Sequence, residues 1–191
     1  MDPLPHLQTE RLTIRPFAIS DLDDICNVLD ASREDDPFHK PMTPEARREW
    51  LQWMVTMTVT YGAWYPPFGD FAVVRRDGNT FIGAVGFGCD IEPFDSLPYL
   101  GGNGQAFYAP EISLYWEIGK AHRRQGYAAE AAQALIDYAF NVMRVKRLFA
   151  LTHPDNVGSL GVMRKLGMYI ERAQGACGIL HNPAIGGHSH G

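Results

Sequence analysis

An alternating segment, Glu111-Ile112-Ser113-Leu114-Tyr115-Trp116-Glu117-Ile118, leads into Arg123-Arg124-Gln125-Gly126-Tyr127-Ala128 and then into an alanine-rich run. Ile112, Leu114, Trp116 and Ile118 share one face of a strand, and Glu111, Ser113, Tyr115 and Glu117 share the other. Ala128, Ala131, Ala132, Leu135, Ile136 and Ala139 recur at helical spacing over 126–143, and their small size predicts close packing on a sheet. At such a strand-to-helix junction the free N–H groups of the first helical turn point one way, and the helix dipole favours an anion. Gly126 lets the backbone approach a phosphate without a Cβ in the way, and Ala128 is small for the same reason. Arg123 and Arg124 add charge and bidentate donors. The plain alternative is a basic loop whose glycine merely starts a helix.

Rival phosphate motifs fail. Gly119-Lys120 is followed by Ala121 and lacks the upstream glycine of a P-loop. Gly83, Gly86 and Gly88 have the wrong spacing for a dinucleotide fingerprint and lie in a strand rather than before a helix.

The rest of the chain predicts one compact domain over 1–191, with its core at 8–172 and a loose tail at 186–191. A first strand runs over 10–17. Ser20 is expected to cap a helix with Leu22, Ile25, Val28 and Leu29 on its apolar face. Thr43 and Pro44 open a second helix carrying Trp50, Met54 and Met57. Strands at 70–76 and 80–89 flank the hairpin signal Asp77-Gly78-Asn79. A long loop is expected over 90–109, then the strand and helix described above, a strand at 147–152, a helix at 156–166 closed by Gly167, and a strand at 168–172. The fold class is α/β, a mixed, mostly antiparallel sheet flanked by helices.

Composition narrows the function. The formal net charge of -5 argues against nucleic acid as the main partner. No apolar run approaches the ~20 residues of a membrane helix, and the N-terminus does not read as a signal peptide, so a cytoplasmic protein is expected. The three cysteines, Cys26, Cys89 and Cys177, form neither a disulfide framework nor a zinc spacing, and buried free thiols are expected. Nothing calls for a metal. A homodimer is left open.

Taken together, the strand ending Tyr115-Trp116-Glu117-Ile118 and the segment Arg123-x-x-Gly126-x-Ala128 resemble the acetyl-CoA loop of the GNAT N-acetyltransferase superfamily. Thr9-Glu10-Arg11-Leu12 with Arg15-Pro16 is similar to the start of the branch containing the ribosomal-protein N-terminal acetyltransferases. So is Asn156-x-x-Ser159 followed by Lys165-Leu166-Gly167-Met168. The similarity runs over about 8–172.

The resemblance implies a GNAT-like fold whose central strands splay apart. It places the coenzyme A pyrophosphate on the amides of Arg124, Gln125, Gly126, Tyr127 and Ala128, with Arg123 opening the loop. The pantetheine arm would lie beside Trp116, Glu117 and Ile118, and Asn156 would contact the cofactor from the other side. Acetyl-CoA is the implied cosubstrate, and the acceptor is a primary amine, either a protein N-terminus or a small molecule. Attack is direct, in a ternary complex. The amine must be neutral, the oxyanion needs a donor, and the thiolate needs an acid. Glu111 is the candidate base, with a solvated strand-end charge as its alternative. Ser159 is the candidate donor to the thiolate, with a helix-surface serine as its alternative. Many family members carry a tyrosine acid four residues beyond the Ser159 position, where this chain has Met163. That departure favours a second function class, a non-catalytic CoA-binding module. The 90–109 loop, with Phe94, Tyr99, Phe107 and Tyr108, and residues 38–42 are expected to line an acceptor cleft.

Overall fold

The computed structural model describes residues 6–61, 67–94, 97–100, 102, 107–171 and 176–183. The strands are β1 (Leu7–Gln8), β2 (Leu12–Pro16), β3 (Gly69–Arg75), β4 (Thr80–Glu92), β5 (Ala109–Ile118), β6 (Arg147–Thr152), β7 (Tyr169–Glu171) and β8 (Ala176–His181). The helices are α1 (Leu22–Ile25), α2 (Ala31–Arg33), α3 (Pro44–Tyr61), α4 (Tyr127–Asn141) and α5 (Val157–Lys165), with a π-helical stretch, Cys26–Asp30, joining α1 to α2. The pairings β1–β2, β2–β3, β3–β4, β6–β8 and β7–β8 are antiparallel, and β5–β6 is parallel. This is the mixed, mostly antiparallel α/β class expected.

The chain divides into two compact units. The first comprises 1–88 and 115–135. Here β2, β3 and β4 form a meander, with Leu12 opposite Arg75 and Phe71 opposite Val85. Phe17, Ile25, Leu29, Leu51, Met54, Ala72, Val74, Phe81 and Ala84 form one core cluster between strands and helices. Ser20, expected as a cap, lies within an opening 3-10 turn. Asp21 does the work instead, accepting from the Ala18 amide at 2.8 Å and from both terminal nitrogens of Arg15 at 2.8 Å. Thr43 caps α3 as predicted, its hydroxyl accepting from the Ala46 amide at 3.2 Å.

The second unit comprises 89–114 and 136–191. β5 and β6 meet at Ser113 opposite Phe149, while β6 runs along β8 from Arg147 opposite His181 to Thr152 opposite Ala176. Gly167, at φ +72°, closes α5 in the left-handed conformation expected of it.

Four local expectations change. β4 continues through Glu92, so the segment predicted as loop from 90 begins three residues later; positions 95–96, 101 and 103–106 lie outside the described residues. β8 was not predicted, because Ala176-Cys177-Gly178 carries little strand propensity; its partners β6 and β7 supply the ladder. Phe94 does not line a cleft: it is 2% exposed and packs on Phe149 with ring centroids 4.3 Å apart. Cys89 is exposed, because it lies where β4 runs out beyond the core; Cys26 is partly buried and only Cys177 is buried, where burial pushes its thiol up to about 12.

Candidate active site

The cofactor loop predicted from sequence is a structured turn. After Ile118 the chain passes through a 3-10 turn, Lys120–His122, and enters α4 at Tyr127. Arg124 and Gly126 both have positive φ, +63° and +86°. Left-handed residues alternating with others turn successive N–H groups toward a common concavity, the geometry of an anion-binding nest. The first-turn amides of α4 add to it, having no carbonyl a turn earlier to bind. Arg123, Arg124 and Gln125 are exposed and Gly126 is partly buried. Arg123 folds back, and its Nε donates to the Ile118 carbonyl at 2.9 Å. One end of the loop is thereby tied to the end of β5.

The other end is tied by residues that the sequence reading placed in a family motif without a role. Arg11 Nε donates to Glu130 at 2.7 Å, and its amide donates to the same carboxylate at 3.0 Å. The Thr9 hydroxyl adds a third bond at 2.5 Å. Arg11 also donates to the Gln125 carbonyl at 3.1 Å and stacks over the Tyr127 ring at 4.5 Å. Burial opposes ionisation of Glu130, but these donors outweigh it and hold the carboxyl below its ordinary range. Tyr127, itself 7% exposed, is a packing residue of the loop. Arg11→Ala is expected to weaken acetyl-CoA binding about fivefold to tenfold, the order of one lost positioning bond, with little change in melting temperature. The stability effect is small because the Arg11 side chain is 43% exposed and its ion pair is screened. Calorimetric titration beside thermal melting checks both.

On the face of β5 opposite Trp116 and Ile118 lies a charged cluster. Glu117 is gripped by Arg33 through Nε at 2.8 Å and through a second, shorter bond from its Nη2, and it accepts a short bond from the Tyr115 hydroxyl. The hydrogen bonds to Glu117 raise the Arg33 pKa, while burial and the Glu117 charge drive the Tyr115 phenol well above its usual value. Glu117 is therefore a structural anchor between α2 and the end of β5. Ser32, just before Arg33, accepts from the Lys120 amide at 2.8 Å.

Glu111, the predicted base, is the third residue of β5, whereas the predicted cofactor loop follows the strand's other end. It forms an ion pair with Arg147, which donates to Oε1 through Nε at 3.0 Å and through its Nη2. To take a proton it would have to give up that guanidinium.

In the second unit, Asn156 caps α5, its Oδ1 accepting from the Ser159 amide at 3.1 Å. The partly buried Ser159 hydroxyl has no hydrogen bond among the described residues, so it is free to donate. Met163 is fully buried, its sulfur against Gly178, so this position faces the core. Among the described residues no group of three or more His, Cys, Asp or Glu side chains is placed to hold a metal ion, and no helix is long and apolar enough to cross a membrane.

The turn at the start of α4 is tied to the end of β5 and carries exposed arginines, a geometry whose chemistry suits an anion. A family model for the GNAT acetyltransferase domain matches residues 11–169, and the chain belongs to that family of acetyltransferases. It is 28% identical over 176 residues to YjdG of Bacillus subtilis strain 168, described as an uncharacterized N-acetyltransferase, covering 86% of this chain and 89% of that protein. It is 32% identical over 98 residues to YnaD of the same organism, also described as an uncharacterized N-acetyltransferase; there the match covers 51% of this chain and 48% of the relative, about half its length. Its fold is similar to that of RimL, a ribosomal α-N-protein acetyltransferase in complex with coenzyme A, at a TM-score of 0.67 and 14% identity over 95% of this chain and 98% of that one.

Proposed function

We propose that the protein transfers the acetyl group of acetyl-CoA to a primary amine by direct attack, with the whole chain acting as one acetyltransferase domain. The observation that carries this reading is the turn at Arg124 and Gly126, held open by Arg11 and Arg123 at the start of α4. Its chemistry fits a pyrophosphate: converging amides, a helix dipole and exposed guanidinium-bearing residues. Arg124, Gln125, Gly126, Tyr127 and Ala128 would cradle that group, and the edge at Trp116, Glu117 and Ile118 would pair with the pantetheine arm. Asn156 would meet the cofactor from α5, and the Ser159 hydroxyl would protonate the leaving thiolate. The acceptor is an amine of a protein N-terminus or a small molecule, in a cytoplasmic setting.

The buried Met163 favours one alternative, a CoA-binding module without turnover. Ser159, with its unengaged hydroxyl, favours the enzyme. Calorimetric titration with acetyl-CoA tests the cofactor reading. Micromolar binding by the wild type is expected. Gly126→Asp should abolish it, because the substitution puts a side chain at φ +86° and an anion where the pyrophosphate belongs. A wild type that binds neither acetyl-CoA nor free CoA would refute the reading.

A further inference from the structure

Three of the carboxylates in the helix-covered layer of the first unit are each bound by an arginine. Asp21 is held by Arg15, Asp30 by Arg47 and Glu117 by Arg33. Asp70, on β3, is not: it makes no hydrogen bond and no ion pair among the described residues. It alternates with Ala72, a member of the core cluster under the helices, against which Tyr115 also packs. Its register partner on β4 is Gly86. A Cβ on Gly86 would stand 2.6 Å from Asp70 Oδ1, so the glycine is what leaves the carboxylate its room. The carboxyl group is closely surrounded by protein, yet the residue keeps part of its surface open. An unpaired carboxylate in such a place costs stability, and a fold that has used arginine at three neighbouring sites has left this one without.

We infer that Asp70 binds the ammonium group of the acceptor and takes its proton, a role that rests on the acetyl-transfer reading above. The charge fits a cation, and the unit that carries Asp70 also carries the cofactor loop and the end of β5. The charged and titratable groups that bear on Asp70 are Glu117 and Tyr115 from β5, Arg33 from α2 and Arg47 from α3. Burial first, and then the Glu117 charge, push the Asp70 carboxyl up to about 6, against the pull of the two arginines. It is thus ionised at neutral pH and a far better proton acceptor than an ordinary aspartate.

The step balances. The ammonium gives one proton to Asp70 and becomes a neutral amine. Its nitrogen attacks the thioester carbon, a C–N bond forms and the C–S bond breaks. The second proton leaves nitrogen for the departing thiolate, and Asp70 returns its proton to solvent. The products are the N-acetyl amine and free coenzyme A.

Asp70→Asn keeps the shape and removes the charge. The assay is acetyl-CoA-dependent thiol release with peptides bearing free N-termini and with spermidine as probes, followed from pH 5 to 9. The expected result is a loss of at least 100-fold in kcat/KM for the amine at pH 7.5, with acetyl-CoA binding within twofold of wild type. The acidic limb of the wild-type profile, near pH 6, should vanish. Thermal melting separates this role from a structural one. A carboxyl whose folded pKa is raised binds protons in the folded state that the unfolded state has lost. Its ionisation therefore costs stability, from pH 3.8 upward and fully above about 6, so Asp70→Asn should melt higher than wild type at pH 8 and equally at pH 3.5. Retention of kcat/KM within threefold, or a lower melting temperature together with weaker acetyl-CoA binding, would overturn the assignment. A wild type that binds acetyl-CoA but releases no thiol with any of these amines also overturns it. Failure of the wild type to bind acetyl-CoA would instead overturn the acetyl-transfer reading.

Discussion

Arg47→Met is expected to destabilise the fold by about 3–5 kcal/mol at neutral pH, the usual cost of breaking a buried ion pair from one side. For a chain of this length that is a fall of roughly 10 °C in melting temperature. Arg47 is 2% exposed and Asp30 6%. The guanidinium donates to both carboxylate oxygens, at 2.8 and 2.6 Å, and lies 4.8 Å over the Trp50 ring. The Met42 amide supplies a third bond to Asp30 at 3.0 Å. Methionine preserves much of the volume and the packing on Trp50, so the loss reports chiefly the stranded carboxylate. Its pH dependence has a definite sign. In the wild type, burial works against the Asp30 charge, but the bonds from Arg47 and Met42 win and lower its pKa. That contribution is present above the unfolded value, 3.8, and is lost as pH falls through the lower folded value. In the variant the burial remains without the guanidinium, so the folded carboxyl titrates above its unfolded value. The deficit against wild type is then largest at neutral pH and shrinks toward pH 4. Adding Asp30→Asn should recover part of it at pH 7 and none at pH 3. Melting curves of the three proteins at both pH values check this, and a deficit independent of pH would mean that packing rather than charge is at stake.

What could be read from the sequence divides along local and non-local lines. The turn between β5 and α4 is legible because everything that makes it lies within a few residues: a strand that alternates, two arginines, a glycine and a helix with a small-residue face. The stop at Gly167 is legible for the same reason. The partners were not. Glu130 reads as an ordinary first-turn acid until Arg11, 119 positions earlier, is seen to hold it. The partner of Glu117 is Arg33, 84 positions away, which strand alternation does not reveal. The engagement of Glu111 with Arg147 is likewise invisible to strand alternation. Asp70 stood at a strand start as one of the chain's many acids. Only the register that sets it opposite Gly86, and the helices that cover it, make it unusual. Phe94 and Tyr99 looked like a cleft wall because their segment is aromatic. Phe94 instead fills the core beside Phe149, and Tyr99 stacks on Tyr169 with centroids 4.0 Å apart.

Gly83→Ala should abolish acetyl-CoA binding while leaving a folded protein, because Gly83 fixes where β5 ends. A Cβ at this position would lie 2.2 Å from the Glu117 carbonyl oxygen and 3.0 Å from the Ile118 Cα. These are backbone atoms and cannot swing aside as a side chain would, so the strand itself must move. Overpacking of this kind costs about 1–3 kcal/mol, occasionally more, which a chain with this core survives. The movement falls on the residues that the cofactor reading needs. Next along β4, the Ile82 carbonyl accepts from the Gly119 amide at 2.8 Å, and the Ile118 carbonyl holds Arg123 at 2.9 Å. A shift of Glu117 and Ile118 is thus passed to both ends of the segment leading into the nest. It also strains the Arg33 clamp on Glu117. The expected loss of acetyl-CoA affinity is at least 100-fold, with the circular dichroism spectrum preserved and melting lowered by roughly 3–10 °C. Gly161→Ala is the control for adding a methyl group at a glycine, since a Cβ there meets nothing within 4 Å. If Gly83→Ala binds acetyl-CoA within threefold of wild type, the end of β5 does not set the cofactor loop, and the coupling through Arg123 and Gly119 is without consequence for binding.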